Sequence, residues 1–202
     1  MKRFLLISAL LLCAFSLKAQ DTKAPAFKFG VEWGENTLLW YAYHFNYTTD
    51  IGSRVDQQDS RFKAAFNGSV MGFAGVNASD WLSVAFYGGF AGYDKGLRMI
   101  PALVRTTWYP RGACSDGIMA FMDLGTDVKT IIQENTVIAD LGTGYRFSLS
   151  RHINLDFLLS LRTVQKRPPI PNPDGEGTIP AENVRNNSAG YYAIGLSIAL
   201  EF

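Results

Sequence analysis

"IGLSIALEF" (residues 194–202) closes the chain, and its spacing decides the fold. Tyr192, Ile194, Leu196, Ile198, Leu200 and Phe202 stand at every second position, with Ala193, Gly195, Ser197, Ala199 and Glu201 between them. A period of two belongs to a β-strand, whose alternate side chains face opposite sides of a sheet. Unpaired chain ends fray and favour polar residues. An apolar face that runs to a final Phe202 therefore calls for something that covers it.

The same period recurs upstream. "INLDFLLSLRT" (153–163) sets Ile153, Leu155, Phe157, Leu159 and Leu161 against Asn154, Asp156, Leu158, Ser160 and Arg162. In "TVIADLGTGYRF" (136–147), Val137, Ala139, Leu141, Tyr145 and Phe147 oppose Asp140, Gly142, Gly144 and Arg146. Comparable segments occupy 26–34, 64–76, 81–93, 97–109 and 118–126, and no stretch of similar length keeps helical spacing. Opposite the apolar faces lie Lys28, Glu32, Arg105, Asp123, Asp140, Arg146, Asp156, Arg162 and Glu201, four cations and five anions. If the apolar face meets lipid, these nine point into a small barrel, where mutual pairing has to offset their desolvation. A water-soluble sandwich would orient the same strands the other way, and alternation alone does not separate the two.

The connections bear on that choice. "NASD", "PRGACSDG" and "SLSRH" fall at one end of the strands, and the two longest connections, 44–63 and 166–187, at the other. Short turns on one side and long loops on the other are the habit of transmembrane β-barrels, in which an even strand number returns both termini to the periplasm. Aromatic residues gather where strands would cross the membrane boundary: Phe27, Trp81, Trp108, Tyr145, Phe147 and Phe202 at the inner end, and Trp40, Tyr41, Tyr43 and Tyr93 at the outer. "GENTLLWYAYHFNYT" is read as the continuation of one long first strand, with a bulge near Gly34 to Asn36 where Glu35 breaks the apolar face. Pro101 fits poorly inside a paired strand and suggests a second bulge. The expected fold is all-β, a transmembrane up-and-down antiparallel β-barrel of eight strands.

The other end of the chain indicates export. Lys2 and Arg3 precede "FLLISALLLCAF" and then "SLKA", the charged, apolar and small-residue order of a secretory signal peptide over residues 1–19. The apolar run is short of the roughly 20 residues of a membrane-spanning helix, and the residues before Cys13 lack the small side chain that lipoprotein processing wants. Cleavage near Ala19 leaves 20–202 as a single barrel domain and, with Lys2, Arg3 and Lys18 gone, moves the net charge from +1 to −2. Near-neutral charge without basic runs argues against nucleic acid as a partner. The single remaining thiol, Cys114, makes no internal disulfide and no cysteine-based metal site. No catalytic, cofactor-binding or metal-binding residue is assigned, and no cofactor is expected.

A leader ending in "KAQ", "DLGTGYRFSLSRHINLDFLLSLR" with a long loop after it, and a final strand ending in Phe202 together resemble the small outer-membrane β-barrel proteins of Bacteroidetes, OmpA-like and PorT-like barrels of eight strands. The resemblance implies outer-membrane location, contact with outer-membrane lipid, and a C-terminal strand whose terminal aromatic is read by the barrel-assembly machinery. A peptidoglycan-binding domain, as in full-length OmpA, is not among the segments recognised.

Eight strands enclose an interior filled by side chains, so a general porin is not expected. A structural or surface-interaction role through outer loops 44–63 and 166–187 is the first functional reading, with the prolines Pro168, Pro169, Pro171 and Pro173 holding the second loop extended. The alternative is a lipid A acylase or deacylase, as some eight-stranded barrels are. That chemistry needs a base beside a hydroxyl; His44 with Ser53, Ser60, Asp50 or Asp56 supplies candidates without a compact motif, and His152 lies in a periplasmic turn beside Arg151. A soluble periplasmic barrel that binds an apolar ligand is the third reading, and it requires a dry interior. "DGEG" (174–177) has too few ligands for calcium, and "GTGYRF" lacks the adjoining helix of a phosphate-binding loop.

Overall fold

The computed structural model describes residues 25–94, 97–129, 135–150, 153–173, 175 and 177–202. The leader and Cys13 lie outside these residues, as do Arg151, His152, Asp174 and Glu176. Nine strands succeed one another in chain order: β1 (Phe27–Thr48), β2 (Arg54–Ser79), β3 (Leu82–Gly92), β4 (Arg98–Met99), β5 (Pro101–Trp108), β6 (Gly117–Asp127), β7 (Val137–Ser150), β8 (Ile153–Lys166) and β9 (Val184–Glu201). Every pairing is antiparallel. The sheet runs β2-β1-β9-β8-β7-β6-β5-β3, and a further ladder between β2 and β3 closes it on itself. The result is a closed ring of eight strands, with the two-residue β4 continuing β5 along β3. Closure matters because it pairs strand edges that would otherwise stand open.

Side-chain direction obeys the sequence alternation. Phe157, Leu159 and Leu161 point outward and are exposed, whereas Asp156, Ser160 and Arg162 point inward and are buried. The start of β1, the end of β9 and the connections at 80–81 and 109–116 share one end, here the near end. Phe27, Trp81, Trp108, Tyr145, Phe147 and Phe202 are all exposed on the outside there.

Four local expectations are corrected. The segment 44–63 is mostly not a loop: β1 runs to Thr48, β2 starts at Arg54, and only residues 49–53 turn between them. The bulge in β1 falls between Leu38 and Trp40, in both of its ladders, rather than at Gly34 to Asn36. An extra residue reverses the facing of everything beyond it. Trp40 consequently stays outside, while Tyr41 and Tyr43 are half-buried and stack in a series with Tyr191 and Phe45. Tyr93 is buried in the interior core and belongs to no outer aromatic belt. At Pro101 no residue is inserted, since Ala91 opposite Met99 and Gly88 opposite Ala102 keep one register. The ladder breaks instead at Ile100, whose N–H is taken by the Asp127 carboxylate at 2.9 Å, and Pro101 opens β5, where a missing donor is tolerated.

The glycines of "GTGYRF" make room for inward neighbours. A Cβ at Gly142 would lie 2.2 Å from Cζ of Phe121, and one at Gly144 would lie 2.7 Å from Cδ2 of Leu158. Gly142→Leu is expected to destabilise the barrel by about 1–3 kcal/mol through overpacking. Gly88→Ala, whose added carbon meets Phe86 at an ordinary 3.6 Å, is expected to be tolerated. Urea unfolding of the two variants in detergent checks the contrast, and equal midpoints would remove the packing argument.

Candidate functional site

All nine charged residues singled out by alternation are buried inside the ring. They form two connected groups. Near the chain termini, Arg146 holds Asp156 with both ends of its guanidinium, at 2.8 and 2.6 Å, and reaches Glu201 at 2.9 Å. Lys28 pairs with the same Glu201 oxygen at 3.1 Å and donates to the Tyr109 hydroxyl at 3.1 Å. The guanidinium of Arg146 sits 4.5 Å from the Tyr109 ring centroid, so that ring serves both cations.

The central group is built around Arg105. Its Nε and Nη2 hold Asp123 on β6 at 2.7 and 2.8 Å, and its Nη1 crosses the lumen to Glu32 on β1 at 2.6 Å. Tyr87 and Phe121 flank the guanidinium at 4.1 and 4.2 Å from their centroids. Glu32 also accepts from Ser197 at 2.9 Å and lies 3.5 Å from Arg162, which pairs with Asp140 at 3.3 Å and donates to Asn36 at 2.7 Å. Asp123 and Asp140 are direct cross-strand neighbours. Like charges so placed repel, and the two arginines separate their fields. Farther out, Lys166 lies 3.7 Å from Asp127. Those two were not among the nine, yet they emerge from extending the alternation of β6 and β8 to the strand ends. Bridges such as Arg105 to Glu32 run from wall to wall, so the lumen is occupied by side chains.

Beyond the ring, at the far end, only β2, β1 and β9 continue. β3 covers β2 from Ser69 to Ser79, leaving Arg54–Gly68 laddered to β1 alone. β8 leaves β9 at Ala189, and Val184–Ser188 face β1 alone. The proline-rich segment 167–183 does not extend away. It doubles back, with Pro171 bridging Thr178 and the Ile179 N–H donating to the Ile170 carbonyl at 2.9 Å. Ile170 and Ile179 bury against Tyr47. Asn172 donates to Asp50 at 2.6 Å, and Asn187 of β9 bonds the Pro168 carbonyl. The strap therefore packs over the inner face of this raised sheet, reaching Asn187 on β9, Tyr47 on β1 and Val55 on β2.

His44 lies on the raised sheet. Of its four candidate partners the structure brings it only to Asp56, Nε2 to Oδ1 at 2.9 Å, while Asn186 donates to its Nδ1 at 2.8 Å. The donation fixes the proton on Nε2, which donates to Asp56. Ser60 instead accepts from Trp40 at 2.7 Å, Ser53 bonds Thr49, and Asp50 bonds Asn172. Both ring nitrogens are engaged and neither meets a hydroxyl, so among the described residues no nucleophile is paired with a base here.

The outside of the ring is the reverse of the inside. Phe29, Val70, Phe86, Leu124, Leu141, Leu161 and Leu196 are all exposed there. A soluble barrel with a dry interior needs the opposite arrangement; the third functional reading fails on this point.

No family model matches the chain, and no curated protein matches it. Among solved structures it is similar to the outer membrane protein OprG from Pseudomonas aeruginosa, at 14% identity and a TM-score of 0.46, over 90% of this chain and 99% of that one. The fold assignment rests on the closed ladder itself. Arg105→Met is expected to cost about 3–5 kcal/mol, because it leaves Asp123 buried without its cation and Glu32 with only the more distant Arg162. Adding Asp123→Leu and Glu32→Gln to it should recover most of the loss. Unfolding midpoints in detergent decide this, and a triple variant no better than the single would show that the charges do not act as one network.

Proposed function

We propose that the chain is an integral outer-membrane β-barrel protein with a structural or surface-interaction role, delivered through a cleaved signal peptide over residues 1–19. One observation carries the reading: a closed ring whose outer wall is apolar and whose charges are paired inside. A bilayer solvates such a wall, and a closed ring leaves no backbone group unpaired within it. Near-end aromatics such as Trp81, Trp108 and Phe202 suit the periplasmic interface, and the far end then faces the outside of the cell. The finer kinship with OmpA-like and PorT-like barrels of Bacteroidetes, and recognition of the strand ending in Phe202 by the assembly machinery, belong to the same proposal.

The working surface on this reading is the raised sheet of β2, β1 and β9. The strap 167–183 packs on its inner face, while from Asp56 to Arg61 β2 presents polar, exposed side chains and an edge that no described strand pairs. Such an edge takes up an extended segment of a partner through main-chain hydrogen bonds. The role is thus carried by a strand edge rather than by loops 44–63 and 166–187 as such. Lipid modification has no specific support in the geometry of His44.

Cell fractionation and then electrophoresis with and without boiling tests the barrel; outer-membrane recovery with a heat-dependent mobility shift is expected, and a soluble protein with no shift would end the reading. Leu159→Arg should cost roughly 2–4 kcal/mol near a bilayer midplane and lower the assembled fraction. For orientation, Gln58→Cys should react with a membrane-impermeant maleimide on intact cells and Ser79→Cys should not. The reverse pattern would place the raised sheet in the periplasm.

A further inference from the structure

Glu35 is out of place. It is exposed on the outer wall of β1, six residues along from Phe29 and five before Trp40, which is about midway between the near-end and far-end aromatics. Its direct neighbours in the ladders are Gly68 on β2 and Leu196 on β9, and Trp33, Val70 and Phe66 surround it. Every other described residue that faces outward in the body of the ring is apolar or uncharged; Arg98 stands only at the far rim. No hydrogen bond or ion pair from a described residue reaches the Glu35 carboxylate. It borders a groove of about 740 Å³ in the outer wall, lined also by Trp33, Val70, Phe90, Phe157 and Leu196.

On the outer-membrane reading, this is an ionisable group set in hydrocarbon with nothing to answer it. Lipid tails have no donor or acceptor at that depth, and an intramembrane ionisable residue ordinarily has a partner. A foreign partner would have to carry a cation at the same level of the bilayer. A second copy of this chain in the same membrane carries its own Glu35 there by symmetry. Two protonated carboxyl groups hydrogen-bond to each other reciprocally, each O–H donating to the other's carbonyl oxygen, so that no charge is left in hydrocarbon.

The surroundings are also self-complementary. A two-fold axis along the membrane normal through Glu35 sets the β9 side of one copy against the β2 side of the other, as an isologous interface requires. On the β9 side Leu196 stands out, 61% exposed. On the β2 side Gly68 and Gly72 leave a hollow, since a Cβ at either would meet only backbone carbonyl oxygens, at 3.8 and 4.0 Å. We propose that the Glu35 face of β1 is the interface of a homodimer within the membrane, closed by a carboxyl pair between the two copies. The inference rests on the outer-membrane reading.

The test uses the full chain with Cys114→Ser, assembled in its native outer membrane. Glu35→Cys should form a disulfide-linked dimer under mild oxidation. Leu124→Cys, exposed on β6 across the ring, should not. In liposomes at fixed protein-to-lipid ratio, Glu35→Leu should weaken dimerisation roughly ten-fold, the size of effect of hydrogen bonds between membrane segments, while Glu35→Gln, which keeps both donor and acceptor, should hold the dimer. All variants are scored only where the heat-dependent mobility shift is retained, so loss of that shift counts against the barrel and not against the interface. With the shift intact, absence of cross-linking at 35, equal cross-linking at 124, undiminished dimerisation of Glu35→Leu, or cross-linking of residue 35 to a different membrane protein would each overturn the proposal.

Discussion

The interaction on which the molecule depends is the clasp of Arg105 by Asp123 and Glu32 between the rings of Tyr87 and Phe121. Closing eight strands into a ring turns one face of every strand into a shared, water-poor interior. Charges placed on that face cost several kcal/mol each unless opposite charges meet them with good geometry. Arg105 on β5 ties β6 through Asp123 and β1 through Glu32, and Glu32 passes the connection to Arg162 on β8 and from there to Asp140 on β7. One continuous network thus joins five strands across the lumen. A register slip by one residue in any of them would turn its charge to the outside and an apolar side chain to the inside. The network therefore fixes register as well as filling space.

The same logic explains how much of this was legible in the sequence. A period of two needs two unlike environments, and within the ring every strand has them. Alternation there placed all nine interior charges on the correct face, and the near-end aromatics as well. Above the ring the apolar inner face narrows to the seat of the strap. In β2 only Val55 reaches it and Asp56–Phe62 are exposed, so "RVDQQDSRF" carries no apolar stripe and reads as loop although it is strand. Tyr41 and Tyr43 were misplaced for a different reason. One extra residue between Leu38 and Trp40 reverses the facing of the residues beyond it, and nothing in the local sequence marks it. Partners of the outer histidine were legible only in part, since Asp56 was a candidate but Asn186 lies 142 positions away and joins through the β1–β9 ladder.

The bulge at Leu39 also divides β1 into two parts of opposite facing. Below it, β1 puts aliphatic and aromatic groups outward and, Glu35 apart, charges inward; above it, Tyr41, Tyr43, Phe45 and Tyr47 turn to the inner side and build an aromatic base for the strap. Tyr47 meets Ile170 and Ile179 because of that reversal. Without the extra residue those rings would point outward and the strap would have no apolar seat.

A strand edge left open is a hazard unless something discourages indiscriminate pairing. β2 carries Arg54, Asp56, Asp59, Arg61 and Lys63 along this stretch, mixed in sign, with Asp59 and Arg61 4.0 Å apart on one face. Exposed pairs of this kind add little stability. Their effect is on pairing: mixed charges along an open edge disfavour an apolar strand, whereas an apolar edge would accept any partner. The strap covers the inner face of the raised sheet, and the mixed charges guard the β2 edge against pairing with an apolar strand.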